Sequence, residues 1–426
     1  MRQVKIGLIG MGTVGGGVIR IIKAHHDDIL RHQGVDIQLA MCSSLDRNQA
    51  VEFGVEDIFV DDANKVIENP DIDIVIELIG GTGVAKTFVL NALNAGKHVV
   101  TANKALMASS GEEIFDAAEK NGVSILFGAS VGGGIPIIGP LKHSLDANEI
   151  SSVIGIVNGT TNYMLTKMTE DGSDYTTVLR EAQRNGFAEA NPSADVDGFD
   201  AAAKIAILAS IAFNSRVTID QVPTEGITKI MPIDLQFAAE MGYKIKLLAI
   251  AKRKPNGIEV RVHPAMIPTS HPLASVDGVY NAIYVVGDFV GNTMFYGEGA
   301  GSGAAASAVM GDVLETAKLL TDGIDVFRGC TCTDSLPVIP ISELTAQYYI
   351  RIPVKDRTGV IAAISKILAD RGISIKSVMQ RGGDGKTTDL MVITHESHED
   401  AVQGAIADMM ETEVLVSEPQ IIRLVD

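Results

Sequence analysis

The chain has 426 residues, 46% of them hydrophobic and 21% charged, which allows two or three domains with ordinary globular cores. Its formal net charge of −18 argues against a nucleic-acid-binding protein but allows a local basic pocket for a nucleotide. The amino terminus lacks a signal-peptide pattern, and no apolar run reaches the ~18 residues of a membrane span. Three cysteines form no disulfide framework, so we expect a cytoplasmic protein.

The first part of the chain alternates strand patterns with helical patterns. The Val/Ile-rich strand patterns are QVKIGLIG, VDIQLAMC, DIDIVIELIG, KHVVTA and VSILFG, and the helical segments between them end at Gly or Asn-Gly. Such alternation predicts a parallel sheet with helices on both faces. We therefore expect a Rossmann-like dinucleotide-binding domain over residues 1–130, completed by a helix from about residues 304–330.

The later segments predict two further domains. From residue 131 the pattern becomes Gly/Pro-rich and then mixes helices with strands, which indicates an α+β domain over residues 131–303. Prolines mark a linker over residues 331–346. Residues 347–426 show a β-α-β-β-α-β pattern, which predicts a small ferredoxin-like domain.

A glycine-rich loop follows the first predicted strand and opens the first predicted helix. Gly10, Gly12 and Gly15 form the pattern G-x-G-x-x-G, in which the glycines allow a tight turn, close approach of a pyrophosphate and close helix–strand packing. The backbone N–H groups of Thr13 and Val14 would then face the anion at the helix N-terminus. The loop predicts a nucleotide-binding site.

The end of the second predicted strand bears on the choice between NAD and NADP. Cys42, Ser43 and Ser44 stand where an acidic residue would favour NAD, and Arg47 follows shortly after. Asp36 lies at the start of the strand instead of its end. We therefore expect weak rejection of a 2′-phosphate and a slight preference for NADP, with use of both cofactors left open.

An acidic segment, AEANPSADVDGFDAAAK, runs into an apolar helix pattern. Asp200 and Lys204 are four residues apart and would share one face of a helix. Lys204 lies within the apolar run AAAKIAILASIAF, where loss of solvent lowers a lysine pKa and suits the group to proton transfer. Nearby carboxylates oppose that shift and could also hold a substrate ammonium. Spacing alone leaves a solvated surface ion pair as the alternative.

The stretch from Ala182 to Lys204 resembles the signature of homoserine dehydrogenases, A-x-x-x-G-[aromatic]-A-x-x-x-P-x-x-D-[aliphatic]-x-G-x-D-x-x-x-K. Other stretches resemble the same family in the same order, namely GLIGMGTVG, DIVIELIGG, VTANKALMA, SVGGGIPII, IVNGTTNYMLTKM and YGEGAG. Together they cover about residues 1–330, and the resemblance implies that the α+β domain over residues 131–303 is the catalytic, substrate-binding and dimerisation domain. The resemblance implies an NAD(P)-dependent enzyme that interconverts L-homoserine and L-aspartate 4-semialdehyde in threonine, methionine and isoleucine biosynthesis.

The resemblance also implies roles for individual residues. Lys204 would donate a proton to the carbonyl oxygen, and Lys104 would be a second lysine near nicotinamide and substrate. Glu189 and Asp200 would bind the substrate, supported by Asp195. The backbone of the NGTTN loop would take the substrate carboxylate, through Asn158, Gly159 and Thr160. Ser43 and Thr101 would contact the cofactor. Gly186 and Gly301 would lie against the cofactor or the substrate.

Two stretches depart from the family pattern. Many members carry a glutamate where Gly128 stands, and that carboxylate helps to bind a sodium ion together with backbone carbonyls. The matching carbonyls belong to Val131, Gly133 and Ile135, so we expect weaker binding of a monovalent cation here. The family commonly has proline where Glu298 stands, which predicts a looser loop and puts substrate affinity in doubt.

The carboxy-terminal segment resembles an ACT domain, a module that often binds amino acids. Its usual D-R-P-G turn is Asp356-Arg357-Thr358-Gly359 in this chain. The resemblance implies feedback control by L-threonine, with a ligand-free dimerisation domain as the alternative. The sequence leaves a homodimer and a homotetramer open.

The sequence leaves two alternatives to homoserine dehydrogenase activity. Aspartate-semialdehyde dehydrogenase chemistry needs a nucleophilic cysteine, and none of Cys42, Cys330 and Cys332 is suitably placed. A non-catalytic nucleotide and amino-acid sensor is the second alternative, favoured only by the departures at Gly128 and Glu298. Cys330 and Cys332 form a lone C-x-C that lacks the second ligand pair of a zinc site.

Overall fold

The structure is a computed structural model that describes residues 2–323, 329–381, 383 and 385–425. Its strands are β1 (Gln3–Ile9), β2 (Asp36–Ser43), β3 (Phe59–Val60), β4 (Ile74–Glu77), β5 (His98–Thr101), β6 (Ile125–Leu126), β7 (Ile150–Ile156), β8 (Tyr243–Lys254), β9 (Gly257–Pro268), β10 (Tyr280–Gly287), β11 (Gly291–Glu298), β12 (Thr345–Lys355), β13 (Ile375–Arg381), β14 (Thr387–Thr394), β15 (Ser397–His398) and β16 (Gln420–Leu424).

The α-helices are α1 (Thr13–Gln33), α2 (Asn48–Phe53), α3 (Ala63–Glu68), α4 (Val84–Asn94), α5 (Lys104–Lys120), α6 (Ile138–Lys142), α7 (Gly159–Asp171), α8 (Tyr175–Arg184), α9 (Ser193–Val196), α10 (Phe199–Ala212), α11 (Pro232–Glu240), α12 (Ser302–Asp322), α13 (Val360–Asp370) and α14 (Glu399–Met410). None of the helices in the described part of the chain combines the length and apolar character needed to span a bilayer.

The chain divides into two compact units. The first unit consists of Met1–Val153, Ala203–Gln221 and Asn281–Ser335. The second unit consists of Ile154–Ala202, Val222–Tyr280 and Leu336–Asp426. The second unit therefore contains the signature from Ala182 to Ala202 and the carboxy-terminal segment, whereas Lys204 belongs to the first unit.

The first unit contains a six-stranded sheet in the order β3-β2-β1-β4-β5-β6, with every neighbouring pair parallel. This is the strand order of a Rossmann fold and confirms the predicted fold class. Val4, Ile6 and Leu8 of β1 are fully buried, as expected for a strand whose two faces are both covered. The strand order reverses between β1 and β4, and this reversal creates the crevice in which such sheets bind dinucleotides.

Helix α12 packs in the same hydrophobic core as β1, although it comes almost 300 residues later. Its buried side chains include Val309, Met310 and Val313. It begins at Ser302 and ends at Asp322, and residues 324–328 of the helix predicted up to about residue 330 lie outside the described residues.

The second unit contains strands in the order β8-β9-β16-β12-β14-β13. All neighbours are antiparallel except β9 and β16, which run parallel. The succession β12-α13-β13-β14-α14-β16 confirms the predicted ferredoxin-like pattern. Through β16, the sheet of this carboxy-terminal segment continues directly into the β8–β9 hairpin.

Buried ion pairs join the carboxy-terminal segment to the rest of the second unit. Asp234 of α11 is fully buried and accepts hydrogen bonds from Arg351 Nε at 2.7 Å and from the Tyr349 hydroxyl at 2.8 Å. The Arg423 guanidinium, 1% exposed, donates to Glu399 at 2.7 Å and to Glu225 at 2.8 Å. These charges are paired, as buried charges must be.

Candidate active site

The glycine loop after β1 adopts a backbone that only glycine fits. Gly10 has φ 100° and donates its N–H to the Ser43 carbonyl at 2.8 Å. A Cβ on Gly10 would lie 2.8 Å from the Leu78 carbonyl oxygen, and a Cβ on Gly15 would lie 2.0 Å from the Gly10 carbonyl oxygen. The loop, the strand ends and helix α1 are therefore packed too closely for any side chain at these two positions.

The N-terminus of α1 is available to an anion. Gly12 precedes the helix, has no side chain to cap it, and faces open space where a Cβ would stand. The first N–H groups of an α-helix have no partner within the helix, so those of Thr13 and Val14 suit a pyrophosphate. The Ser302 hydroxyl donates to the Thr13 carbonyl at 2.7 Å, which ties the start of α12, after Gly301, to this loop.

A buried polar cluster stands at the ends of β4 and β5, and the sequence reasoning found its Thr101 but missed Glu77 and Asn103. Glu77, 1% exposed, accepts a hydrogen bond from the Thr101 hydroxyl at 2.7 Å and from the Ile79 N–H at 2.8 Å. Thr101 in turn accepts from the N–H of Asn103, whose side chain caps α5. Lys104 is the first residue of α5 and is half-buried. A glutamate within the apolar strand pattern DIVIELIGG was the signal available in the sequence.

The region after β2 presents a basic side chain. Ser43 is buried, and the Ser44 hydroxyl donates to the Gln49 side chain at 2.6 Å. Arg47 is exposed, and its guanidinium carbon lies 5.6 Å from the centre of the Phe59 ring. An arginine fork held in this way suits a phosphate.

In the second unit, Asn158 organises two of the predicted carboxylates. Its side-chain Nδ2 donates to Asp195 Oδ1 at 2.7 Å and to Asp200 Oδ2 at 2.9 Å. Its Oδ1 accepts from the Thr161 N–H at 2.9 Å and so caps α7. The Asn158 amide therefore donates both hydrogens to carboxylates, and its oxygen accepts from the helix backbone. These bonds fix the positions of Asn158, Asp195 and Asp200 relative to α7.

The other predicted substrate residues lie along the same segments. Gly159 begins α7, and the Thr160 hydroxyl donates to the Phe187 carbonyl at 2.6 Å, which holds the segment after α8 against α7. Gly186 has φ 76°, a conformation that favours glycine. Glu189 is exposed.

Helix α10 carries both Asp200 and Lys204. Each side chain is only 8% exposed, so the alternative of a solvated surface pair is wrong. A lysine in this position loses most of its water. The structure brings Asn158, Asp195 and Asp200 together.

The structure places a carboxylate where the family glutamate is missing. The Gly128 N–H donates to Asp312 Oδ2 at 2.7 Å, and a Cβ on Gly128 would lie only 2.8 Å from Asp312 Oδ1. Burial is the main cause that raises the pKa of Asp312 to about 7, with a smaller contribution from Glu315. No local pattern revealed this residue, because it comes from α12, 184 residues later.

The predicted carbonyl ligands of a cation follow Gly128 directly. Val131, Gly133 and Ile135 are all buried. The Ile135 carbonyl already accepts from the Ile137 N–H at 2.9 Å, although a carbonyl oxygen has two lone pairs. No cluster of three or more His, Cys, Asp or Glu side chains suited to a metal occurs among the described residues.

Comparison with known proteins identifies the family. The profile described as homoserine dehydrogenase matches residues 136–314, its NAD-binding-domain profile matches residues 10–128, and an ACT-domain profile matches residues 348–410.

Individual relatives agree with these profiles. The homoserine dehydrogenase of Synechocystis is 42% identical over 99% of both chains. A crystal structure of a homoserine dehydrogenase from Thiobacillus denitrificans has a TM-score of 0.95 at 41% identity and covers 100% of this chain and 99% of its own. A hyperthermophilic archaeal homoserine dehydrogenase in complex with NADPH has a TM-score of 0.64 at 25% identity and covers 77% of this chain and 100% of its own. The Rossmann sheet, the acidic signature and the ACT segment thus occur together because this chain belongs to the homoserine dehydrogenase family.

Proposed function

We propose that this protein catalyses the NAD(P)-dependent interconversion of L-homoserine and L-aspartate 4-semialdehyde. The observation that carries the proposal is the Asn158 amide, which holds Asp195 and Asp200 at 2.7 and 2.9 Å. Because these carboxylates lie in the family signature directly before Lys204, they are suited to bind the ammonium group of an amino-acid substrate. Glu189 is proposed as a further substrate ligand.

The protein residues position the substrate and move a proton. When bound, the nicotinamide supplies or takes the hydride. Lys204 donates a proton to the aldehyde oxygen during reduction and receives one from the hydroxyl during oxidation. Its burial favours proton release, and Asp200, one turn earlier on the same helix, limits that effect. Lys104, at the start of α5, polarises the same oxygen or orients the substrate carboxylate, for which the backbone of Asn158, Gly159 and Thr160 is the other proposed partner.

We propose that NADP is preferred over NAD. The support is the buried Ser43 in place of an acidic residue at the end of β2, together with the exposed Arg47 beside it. The archaeal relative solved with NADPH is consistent with this choice. The proposed cofactor contacts are those of the loop Gly10 to Gly15, with Ser43, Thr101, Lys104, Gly186 and Gly301.

A monovalent cation is proposed beside the Gly128 segment. The Asp312 carboxylate would supply the negative charge, and the carbonyls of Val131, Gly133 and Ile135 would supply oxygen ligands, which are the type that hard cations prefer. A sodium-dependent rise in melting temperature relative to choline chloride would support the site, and Asp312→Asn should abolish that rise. An equal response of both proteins would contradict it.

The ACT segment is proposed to bind L-threonine. A cavity is lined by the turn Asp356 to Gly359 together with Gln380 and Thr388. Gly359 has φ 89° and precedes α13 without a side-chain cap, so the helix N-terminus can take the threonine carboxylate. Asp356 can take the ammonium. We further propose a cytoplasmic homodimer or homotetramer, which sedimentation would resolve.

The test is homoserine-dependent reduction of the nicotinamide, followed by absorbance, with NADP and with NAD and with or without L-threonine. Lys204→Met should lower kcat by at least about 10²-fold with little change in cofactor binding. The matched control is Lys120→Met, at the exposed end of α5, which should keep full activity. Folded wild-type protein without turnover with either cofactor would favour the sensor alternative. Inhibition by threonine that Asp356→Asn removes would support the effector site.

A further inference from the structure

The C-x-C pair lines a cavity in the first unit that the proposed reaction does not use. Its apolar lining includes Met107 and Phe115 of α5 and Ile207 of α10. The polar lining includes both thiols, the Ser210 hydroxyl of α10, and the cations Arg216 and Lys142. The helices that line it are the same two that carry Lys104 and Lys204.

The two thiols are held close to each other by the backbone. The Thr333 N–H donates to the Thr331 carbonyl at 2.8 Å, which makes a tight turn around Cys332. The Cys332 N–H points at the Cys330 sulfur at 3.4 Å, and the Cys332 thiol lies 3.7 Å from the Ser210 carbonyl. Both thiols are free and half-buried. This turn places the sulfurs on one side of the chain.

The charges around the cavity favour a thiolate on Cys330. A hydrogen bond from the Cys332 thiol is the largest cause that lowers the pKa of Cys330 to about 6, and Arg216 and Lys142 lower it further. The same interaction raises the pKa of Cys332. Two acidic groups act on these cations: Glu112 pairs with Arg216 at 3.1 Å, and Asp312 interacts with Lys142.

The surroundings of Lys142 and of the third cysteine, Cys42, are more apolar. The Lys142 ammonium lies 4.9 Å from the centre of the Phe127 ring, so part of its environment is apolar. Cys42, by contrast, is fully buried, and burial raises the pKa of its thiol to about 11. Cys330 and Cys332 therefore share partial exposure, neighbouring cations and a thiol partner, which Cys42 lacks, and of these two the lowered pKa falls on Cys330.

We propose that Cys330 is a peroxide-reactive thiolate and that Cys332 resolves the oxidised sulfur into an intrachain disulfide. The Cys330 thiolate attacks one oxygen of hydrogen peroxide, the O–O bond breaks, and the departing hydroxide takes a proton to become water. Cys330 is thereby oxidised by two electrons to a sulfenic acid. The deprotonated Cys332 sulfur then attacks it, the S–S bond forms, and the oxygen leaves as a second water. Two thiols and one peroxide give one disulfide and two waters.

The disulfide would change the contacts of α10. In the disulfide Cys332 has no thiol hydrogen and can no longer donate to the Ser210 carbonyl, which is 3.7 Å away and lies six residues after Lys204 on the same helix. The proposal does not depend on the proposed reaction, because it concerns thiol chemistry that can be measured without substrate.

The first test uses the reduced, full-length wild-type protein. With limiting iodoacetamide at about pH 7, Cys330 should be alkylated at least about 100-fold faster than Cys42, as read by peptide mass spectrometry. Equal labelling of the two, or faster labelling of Cys42, would overturn the proposal. No substitution is involved, so a failure to fold cannot obscure the result.

The second test uses one equivalent of hydrogen peroxide. By mass spectrometry the wild-type chain should lose 2 Da, and the loss should map to the peptide that contains both Cys330 and Cys332. On a non-reducing gel the same sample should run as a monomer. Cys332→Ser should instead trap a sulfenic acid on Cys330 with dimedone, and Arg216→Gln should slow its formation. Three results would contradict the assignment. The first is a disulfide between two chains, and the second is a folded protein that does not react. The third is dimedone labelling of Cys332 in Cys330→Ser as fast as the labelling of Cys330 in Cys332→Ser.

Discussion

Replacing Asp312 by asparagine should remove a pH-dependent loss of stability. In the folded chain the pKa of this carboxyl is raised from 3.8 to about 7, mainly by burial. Between these values the folded chain holds a proton that the unfolded chain has released, so the contribution to stability is lost as pH rises towards and through 7. For a single such group the loss between about pH 5.5 and about pH 8.5 is on the order of 2 kcal/mol. The asparagine oxygen can still accept from the Gly128 N–H at 2.7 Å and carries no charge.

The assay is urea unfolding of wild type and Asp312→Asn at about pH 5.5 and about pH 8.5, in choline chloride so that no small alkali cation is present. The wild-type midpoint should fall more steeply with pH than that of the variant. Asp322→Asn, which alters an exposed carboxyl at the end of the same helix, should behave like wild type. Identical pH dependence in wild type and Asp312→Asn would refute the argument that this carboxyl is protonated in the folded state near neutrality.

Three further predictions follow from close contacts. Gly15→Ala should unfold at lower temperature and lose cofactor binding in fluorescence titration, because its Cβ would lie 2.0 Å from a carbonyl oxygen. Gly12→Ala places its Cβ in open space, so it should weaken cofactor binding without a loss of melting temperature. Asn158→Ala should cost about 1 kcal/mol of stability for the lost helix cap and raise the KM for homoserine, measured by steady-state kinetics; an unchanged KM would contradict the proposed role. Asp234→Ala should cost about 3–5 kcal/mol in urea unfolding, because it leaves Arg351 buried without its carboxylate; a loss below about 1 kcal/mol would show that water replaces the pair.

The nucleotide half of the site was predictable because its signals are local. A buried strand, the glycine loop and the helix after it are encoded within residues 3–33, and each glycine has a steric reason that short spacing reveals. For Asp200 and Lys204 the four-residue spacing already places both on one face of α10, but their burial was not decided by spacing alone. Helix periodicity converts such patterns into geometry without knowledge of the rest of the fold.

Contacts between distant segments were not predictable in this way. Thr101 was identified only through the family resemblance, and its partner Glu77 comes from the neighbouring strand. Gly128 looked like the simple loss of an acidic group, but Asp312 from α12 occupies the adjoining space. The sequence contains both residues, yet nothing in their local patterns says that they meet, because the packing of α12 against the first strands decides it.

The ACT segment shows the same limit and bears on how regulation is best tested. Its pattern predicted a ferredoxin-like domain after a linker, and the structure includes this segment in one compact unit with Asp195 and Asp200. Strand β16 pairs with β9, and the buried carboxylate of Asp234 depends on Arg351 of β12. Deleting the segment would therefore expose an unpaired strand edge and leave a buried charge without its partner, so loss of activity in a truncated chain would say little about threonine. A substitution of the exposed Asp356 to asparagine changes the proposed effector site while it preserves these contacts, and it is therefore the variant that can separate regulation from stability.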